Sequence, residues 1–363
     1  MLGLLDRRFF RVYVIPGAVF QSIMVGGGYG TGREIVEYFT SFGAVGGLLG
    51  IAIATTVLAV VIATTFEFAR SLGAYDYRRF FKRLLGPGWV LFEALMILLF
   101  LLILAVLASA SGNILRENFG IPYGAGLAIM LGTICLLTFY GRELIQKALT
   151  LWTFFLYAVF ITFFVTVFSH SEVSLAASFG DAETRGGWLT SGLKYALYNL
   201  AVVPLILYVV RGFSTRGQAL RSGGVAALIA MTPAVLFHLA FVTAWPDVLD
   251  EAIPAYWMMT QLGALGLLTL FSVMLFGTFI ETGAGMLQGI NERIDGYLLE
   301  KGSESLRPGY RAMIAVAAIL VSAGLSFWGI TNLIAKGYGM MAWGFLIVYV
   351  APLMTIGLRQ IWK

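Results

Sequence analysis

The chain has 363 residues, 59% of them hydrophobic and 12% charged, with a mean hydropathy of +0.87. A soluble domain carries about 25% charged residues, and the charges here stand in short connections between long apolar runs, as in a multi-pass membrane protein. The formal charge of +5 is spread over those connections, where it orients spans and gives no nucleic-acid footprint, and a single cysteine, Cys135, excludes disulfides and thiolate metal sites.

Ten runs meet the length of about 20 apolar residues that crosses a bilayer. They cover 12–39, 42–69, 88–115, 122–140, 145–169, 188–210, 222–244, 264–290, 309–328 and 337–358. The N-terminal MLGLLDRRFFRV is basic but carries no small-residue cleavage signature, so the first run is read as a retained span. With the N-terminus inside, nineteen of the 24 basic residues fall at cytoplasmic ends. They are Arg7, Arg8, Arg11, Arg70, Arg78, Arg79, Lys82, Arg83, Arg142, Lys147, Arg211, Arg216, Arg221, Arg293, Lys301, Arg307, Arg311, Arg359 and Lys363. Arg116, Arg185 and Lys336 alone fall outside, while Arg33 and Lys194 lie within or at the edge of spans. This bias puts both termini in the cytoplasm.

The first run is interrupted. In MVGGGYGTGREIVEYF (Met24–Phe39), Gly26, Gly27, Gly28, Gly30 and Gly32 crowd into seven residues and Arg33 and Glu34 follow at once. Glycine costs about 1 kcal/mol per residue in a helix interior relative to alanine, and close helix packing needs small residues only four apart. Backbone exposed at membrane depth is tolerated only where protein or water covers it, so the break implies a cavity. It is no nucleotide loop: the G-x-G-x-x-G spacing is not met, and no Lys-Ser/Thr pair follows.

Glu34 and Glu37 open the outer half-helix, where a carboxylate favours the N-terminal dipole, and Arg33 is placed to pair with either or with an acidic outer loop as a gate. Glu67 stands three residues before Arg70 and reads as a surface pair, and Glu93 lies one turn into the third run, near Arg83. The sixth run, LKYALYNLAVVPLILYVV, holds Asn199 at its middle just before Pro204, which lacks a backbone donor. His238, in FHLAF of the seventh, reads as a satisfied helix contact. The outer loop WPDVLDEAIPAYWMMTQL (Trp245–Leu262) is acidic and aromatic; a short helix capping an outer vestibule and a plain interfacial loop both fit it. In the eighth run Thr278, Glu281, Thr282, Gly285 and Gln288 recur at helical spacing as one polar stripe. A carboxylate inside the membrane is a functional candidate by default, and Glu281 stands close to the middle of that helix.

Ten spans divide into five and five, about 12–169 and 188–358, within one membrane domain covering 1–363. An odd number per half inverts the second half, and transporters of this plan bind substrate near the midplane, where interrupted helices meet. Spans one and six are the interrupted pair, at matching positions. Free N–H groups at the start of the outer half-helix suit a carboxylate, and free C=O groups at the end of the inner one suit a cation. The side-chain candidates for substrate are Tyr29, Tyr198 and Asn199, with the backbone of Gly26, Gly27, Gly28, Gly30 and Thr31.

GGGYGTGREIVEYF resembles the first-span motif of the bacterial YkvI-type membrane proteins, a group classed with amino acid permeases. YALYNL (Tyr195–Leu200) and TFIETGAGMLQGINERI (Thr278–Ile294) resemble that group's sixth and eighth spans. More distantly, the ten-span plan is similar to the LeuT fold of the amino acid–polyamine–cation superfamily, many of whose members have two further spans that this sequence lacks. The resemblance implies a transporter of the bacterial inner membrane, not an enzyme, that takes an amino acid or related amine. It implies a coupling-ion site between Val25 and Gly26 on span one and Thr278 and Thr282 on span eight. ALTLWTFF (Ala148–Phe155) has no lysine where some proton-coupled relatives carry one. A sodium ion, or a proton carried by Glu281, both remain open, and no other cofactor is expected. The rivals are a ligand-sensing receptor without transport and, with less support from the clustered polar groups, a channel.

Overall fold

In the computed structural model, residues 8–140, 142–170, 174–180, 184–304 and 307–362 are described; Arg7 and Lys363 lie outside them, as do the side chains of Arg142 and Lys147. All regular structure among these residues is helical. Helix α1 (Phe10–Met24) leads into a single turn, Gly27–Gly30, and then α2 (Arg33–Tyr38). The long α3 (Gly43–Leu72) and the short amphipathic α4 (Tyr77–Leu85) follow. Next come α5 (Trp89–Phe119), α6 (Tyr123–Tyr140) and α7 (Arg142–His170). In the second half α8 (Trp188–Leu200) passes into a 3-10 segment, Val203–Gly212. It is followed by α9 (Arg216–Val242), α10 (Pro254–Gln261), α11 (Leu265–Glu300) and α12 (Pro308–Ser326). A final helical run, α13 (Ile330–Ile361), ends the chain.

Six helices among the described residues are long and apolar enough to cross a membrane, and α8 with its 3-10 extension makes a seventh that is bent by 64°. Three shorter apolar helices, Phe10–Met24, Tyr123–Leu136 and Phe155–His170, accompany them.

The first interruption follows from backbone geometry. Val25 leaves the helical region at φ −74°, ψ 65°, and Gly32 takes φ +83°, a conformation that a Cβ disfavours. A Cβ on Gly32 would also strike the ring of Phe241. The second interruption falls at Ala201–Val202, before Pro204 rather than at it. Pro204 sits in the first turn of the 3-10 segment, where the missing N–H leaves no bond unmade.

The two interrupted elements are woven together. α1 packs on α9, α8 on α3, and α3 on α9, so each interrupted element rests on the long helix that follows the other. Glycine makes each crossing possible, because a Cβ on Gly17 would meet Ala226 and Ile229, one on Gly192 the backbone of Gly50, and one on Gly223 that of Ala63. Small residues at the contact let backbones approach where lipid supplies no hydrophobic drive. α5, α6, α11 and α12 pack as a second group. Thr215 and Gln218 form a capping box that fixes the start of α9, and Asp76 caps α4 through the amide of Arg79.

Candidate functional site

The two interruptions face one another across a small cavity of about 40 Å³. Gly26 and Gly28 line it from the first, and Tyr198, Asn199 and Val202 from the second, with Glu34, Thr282 of α11 and Tyr338 of α13. Apolar walls come from Ile23, Met24, Leu99, Ile103 and Met286. Gly28 is needed here as glycine, since a Cβ would land on the Glu34 carboxylate. Tyr198 donates its hydroxyl hydrogen bond to Glu34 Oε2. Asn199 donates one amide N–H to Tyr195 O at 2.9 Å, which leaves its second N–H and its Oδ1 for other partners.

Glu34 is 5% exposed, and no basic side chain among the described residues lies within 4.0 Å of its carboxylate. Arg33, its neighbour, faces the other way. Its guanidinium reaches Glu37 at 2.9 Å and the carbonyls of Leu249 and Glu251 at 2.6 and 3.0 Å. The acidic outer loop is helical at Asp247–Asp250 and in α10, and the amide of Ala255 donates to Thr31 O at 3.1 Å. Loop and α2 are thus tied together over the break.

Other candidates turn elsewhere. Tyr29 is fully buried with its ring edge-on to Phe237, and its hydroxyl has no hydrogen-bond partner among the described residues. Thr31 donates to Gly28 O at 2.8 Å and so braces the turn from within. Gly30 faces Leu275. The amides of Gly26, Gly30, Gly32 and Arg33 are paired with Met24 O, Gly26 O, Tyr29 O and Thr31 Oγ1, so the break consumes several of the donors expected to face an anion.

A second cavity of about 280 Å³ adjoins the first and shares Ile23, Thr282 and Met286 with it. Val25, Thr278, Glu281 and Thr282 line it together, with Ser22 and Tyr157 added. These are oxygen donors of the kind a hard cation takes. Thr278 donates to Met274 O at 2.8 Å. Glu281, half-buried, has no hydrogen-bond or ion-pair partner among the described residues. Tyr157 donates to Gln21 Oε1 at 2.8 Å, and Gln21 donates to Ile229 O at 3.1 Å, pinning α1 between α7 and α9.

Three further polar groups are engaged in structure. His238 is buried, with Thr40 Oγ1 at 3.1 Å and Ala44 O at 2.9 Å from its ring nitrogens. Glu67 and Arg70 form a two-pronged pair at 2.7 Å, with Glu67 itself buried rather than at the surface. Glu93 is held by Arg293 of α11 and by Arg78 of α4 at 3.6 Å, not by Arg83. The Arg293 guanidinium also lies 4.3 Å from the Tyr77 ring centre. Helices α4, α5 and α11 meet in that cluster.

No family model matches the chain. A curated relative, the uncharacterised membrane protein YkvI of Bacillus subtilis (strain 168), is 22% identical over 289 residues, covering 77% of this chain and 80% of its own length. The fold is shared with solved transporters. A Na+-coupled sialic acid symporter in a substrate-bound, outward-open state matches with TM-score 0.65 and 13% identity, over 94% of this chain and 78% of that one. Mhp1, a nucleobase-cation-symport-1 family transporter in a closed conformation with bromovinylhydantoin bound, matches with 0.64 and 15%, over 93% and 76%. A manganese transporter of Eremococcus coleocola matches with 0.59 and 14%, over 96% and 80%. The relative bears out the resemblance carried by the sequence motifs, and the solved structures identify the fold as that of these membrane transporters.

Proposed function

We propose that the chain is a secondary active transporter that moves a small organic solute, an amino acid or related amine, by alternating access coupled to Na+ or H+. One observation carries the reading. Two interrupted helices, each resting on the other half's long helix, enclose a cavity lined by glycine backbone, a tyrosine, an asparagine and a buried carboxylate. Interrupted helices meeting near the midplane are how inverted-repeat transporters bind their solute.

With the bent pair taken as one span and the three shorter apolar helices included, the chain reads as ten spans, of which one and six are discontinuous. The solute occupies the smaller cavity between the breaks. The coupling ion or proton occupies the larger one, among Val25, Thr278, Glu281 and Thr282. Arg33 and Glu37 form the outer gate, closed here by the bonds of Arg33 to the outer loop, whereas Glu34, expected from the sequence to share in that gate, turns to the solute cavity instead. The positive-inside bias supports cytoplasmic termini, and the bacterial relative supports the inner membrane.

The test is accumulation in sealed proteoliposomes under an imposed inward sodium or proton gradient. A transporter concentrates a labelled solute inside. A receptor binds it without uptake, and a channel lets it equilibrate without regard to the gradient.

A further inference from the structure

The smaller cavity holds a buried carboxylate. Glu34 faces it with a carboxylate that has one bond, from the Tyr198 hydroxyl, and no basic partner within 4.0 Å among the described residues. Asn199 also lines it, with one N–H bonded to Tyr195 O and its Oδ1 accepting no bond from the protein among the described residues. Of the amides in the break, those of Gly26, Gly30, Gly32 and Arg33 are used within it, and among the described residues the one fixed charge that the cavity holds is the Glu34 carboxylate. A buried carboxylate without a cation is unfavourable, and an ammonium group, three donors and no acceptor, is the chemical complement of such a site.

Aromatic rings stand beside it. The rings of Tyr198 and Tyr338 lie 4.9 Å apart and both line the cavity. Tyr38 and Tyr195 stand behind them, each 5.5 Å from Tyr198. A cation within about 6 Å of such a ring centre is attracted by its negative face. An α-amino acid fits less well, since its carboxylate stands one carbon from its ammonium and would approach the Glu34 carboxylate as a like charge.

We propose that the transported solute is a cationic amine without an adjoining carboxylate, its ammonium held by Glu34 and Asn199 against Tyr198 and Tyr338. The proposal rests on the transporter reading above and narrows its solute class.

The experiment measures thermal unfolding of the purified full chain in detergent against four groups of probes matched in size. These are butylamine and 1,4-diaminobutane, the zwitterion norvaline, butyrate, and neutral butyramide. A solute that binds only the folded state raises the midpoint in proportion to RT ln(1 + [L]/Kd). The amines should raise it, norvaline should need at least roughly tenfold more for the same shift, and butyrate and butyramide should do nothing. In Glu34→Gln the amine Kd should rise roughly a hundredfold or more, as expected when one partner of a buried charge pair is removed. Should that variant fail to fold, the wild-type ranking decides alone. Norvaline, butyrate or butyramide stabilising the wild type more than either amine overturns the amine assignment and leaves the solute cavity standing. A wild type that answers to no probe overturns both.

Discussion

Gly28 and Glu34 form a unit in which one residue exists as it is because of the other. The carboxylate lies where a Cβ on Gly28 would be, so any side chain at that position must displace the Glu34 carboxylate from its place in the cavity wall. Gly28→Val should therefore abolish solute binding while the protein still inserts and purifies as a folded monodisperse species; wild-type binding in that variant would remove the cavity from the account. The Glu93–Arg293 pair does other work. Both side chains are largely buried, and deleting one partner of a buried pair leaves an uncompensated charge at a cost of about 3–5 kcal/mol. Glu93→Ala should lower unfolding stability in detergent by that order, whereas Lys82→Ala, which breaks an exposed pair with Glu300 at 2.8 Å, should cost about 1 kcal/mol or less. Equal losses in the two variants would show that the Glu93 cluster is no more than a surface contact.

At the scale of elements, the first break was legible because nothing but glycine density explains GGGYGTG in an apolar run, and the second was legible only in part. Pro204 marks the neighbourhood, yet the turn falls at Ala201–Val202, and the proline serves as the start of the next segment. Pro204→Ala should thus change stability by about 1 kcal/mol or less and leave binding intact. Gly32→Ala, which forces a Cβ into φ +83° and onto Phe241, should cost about 1–3 kcal/mol for the backbone alone. If Pro204→Ala proves the more damaging in denaturant titration, the break is proline-made after all. What the sequence hid was the third dimension. Tyr338 stands in the last apolar run, far in sequence from both breaks, and only the packing of α13 beside α8 brings its ring to Tyr198. Glu34 read as a helix-start carboxylate, because its burial against Tyr198 depends on a contact 164 residues away. Tyr29, Thr31 and Gly30 share the motif with Gly26 and Gly28, but successive residues of one turn point in different directions, so the motif alone could not sort cavity from core. The stripe of Thr278, Glu281 and Thr282 was legible from helical spacing, and the larger cavity lies along it.

The whole molecule joins these parts into two linked cavities, one beneath the clasp of Arg33 on the outer loop and one along α11. With solute and ion placed as proposed, the shared walls Ile23, Thr282 and Met286 would be a common boundary through which each favours the other's binding, and such coupling is reciprocal. Coupled transport is the claim on which the rest depends. The most direct measurement is uptake of a labelled amine by proteoliposomes across an imposed tenfold inward gradient of sodium or of protons, for the wild type and for Glu281→Gln. A tenfold gradient stores about 1.4 kcal/mol per ion, enough for about tenfold accumulation at one ion per solute. The account predicts accumulation above the outside concentration with one of the two ions, its collapse when an ionophore dissipates the gradient, and its loss in Glu281→Gln. Binding without uptake, or entry that stops at equal concentrations whatever the gradient, would contradict it.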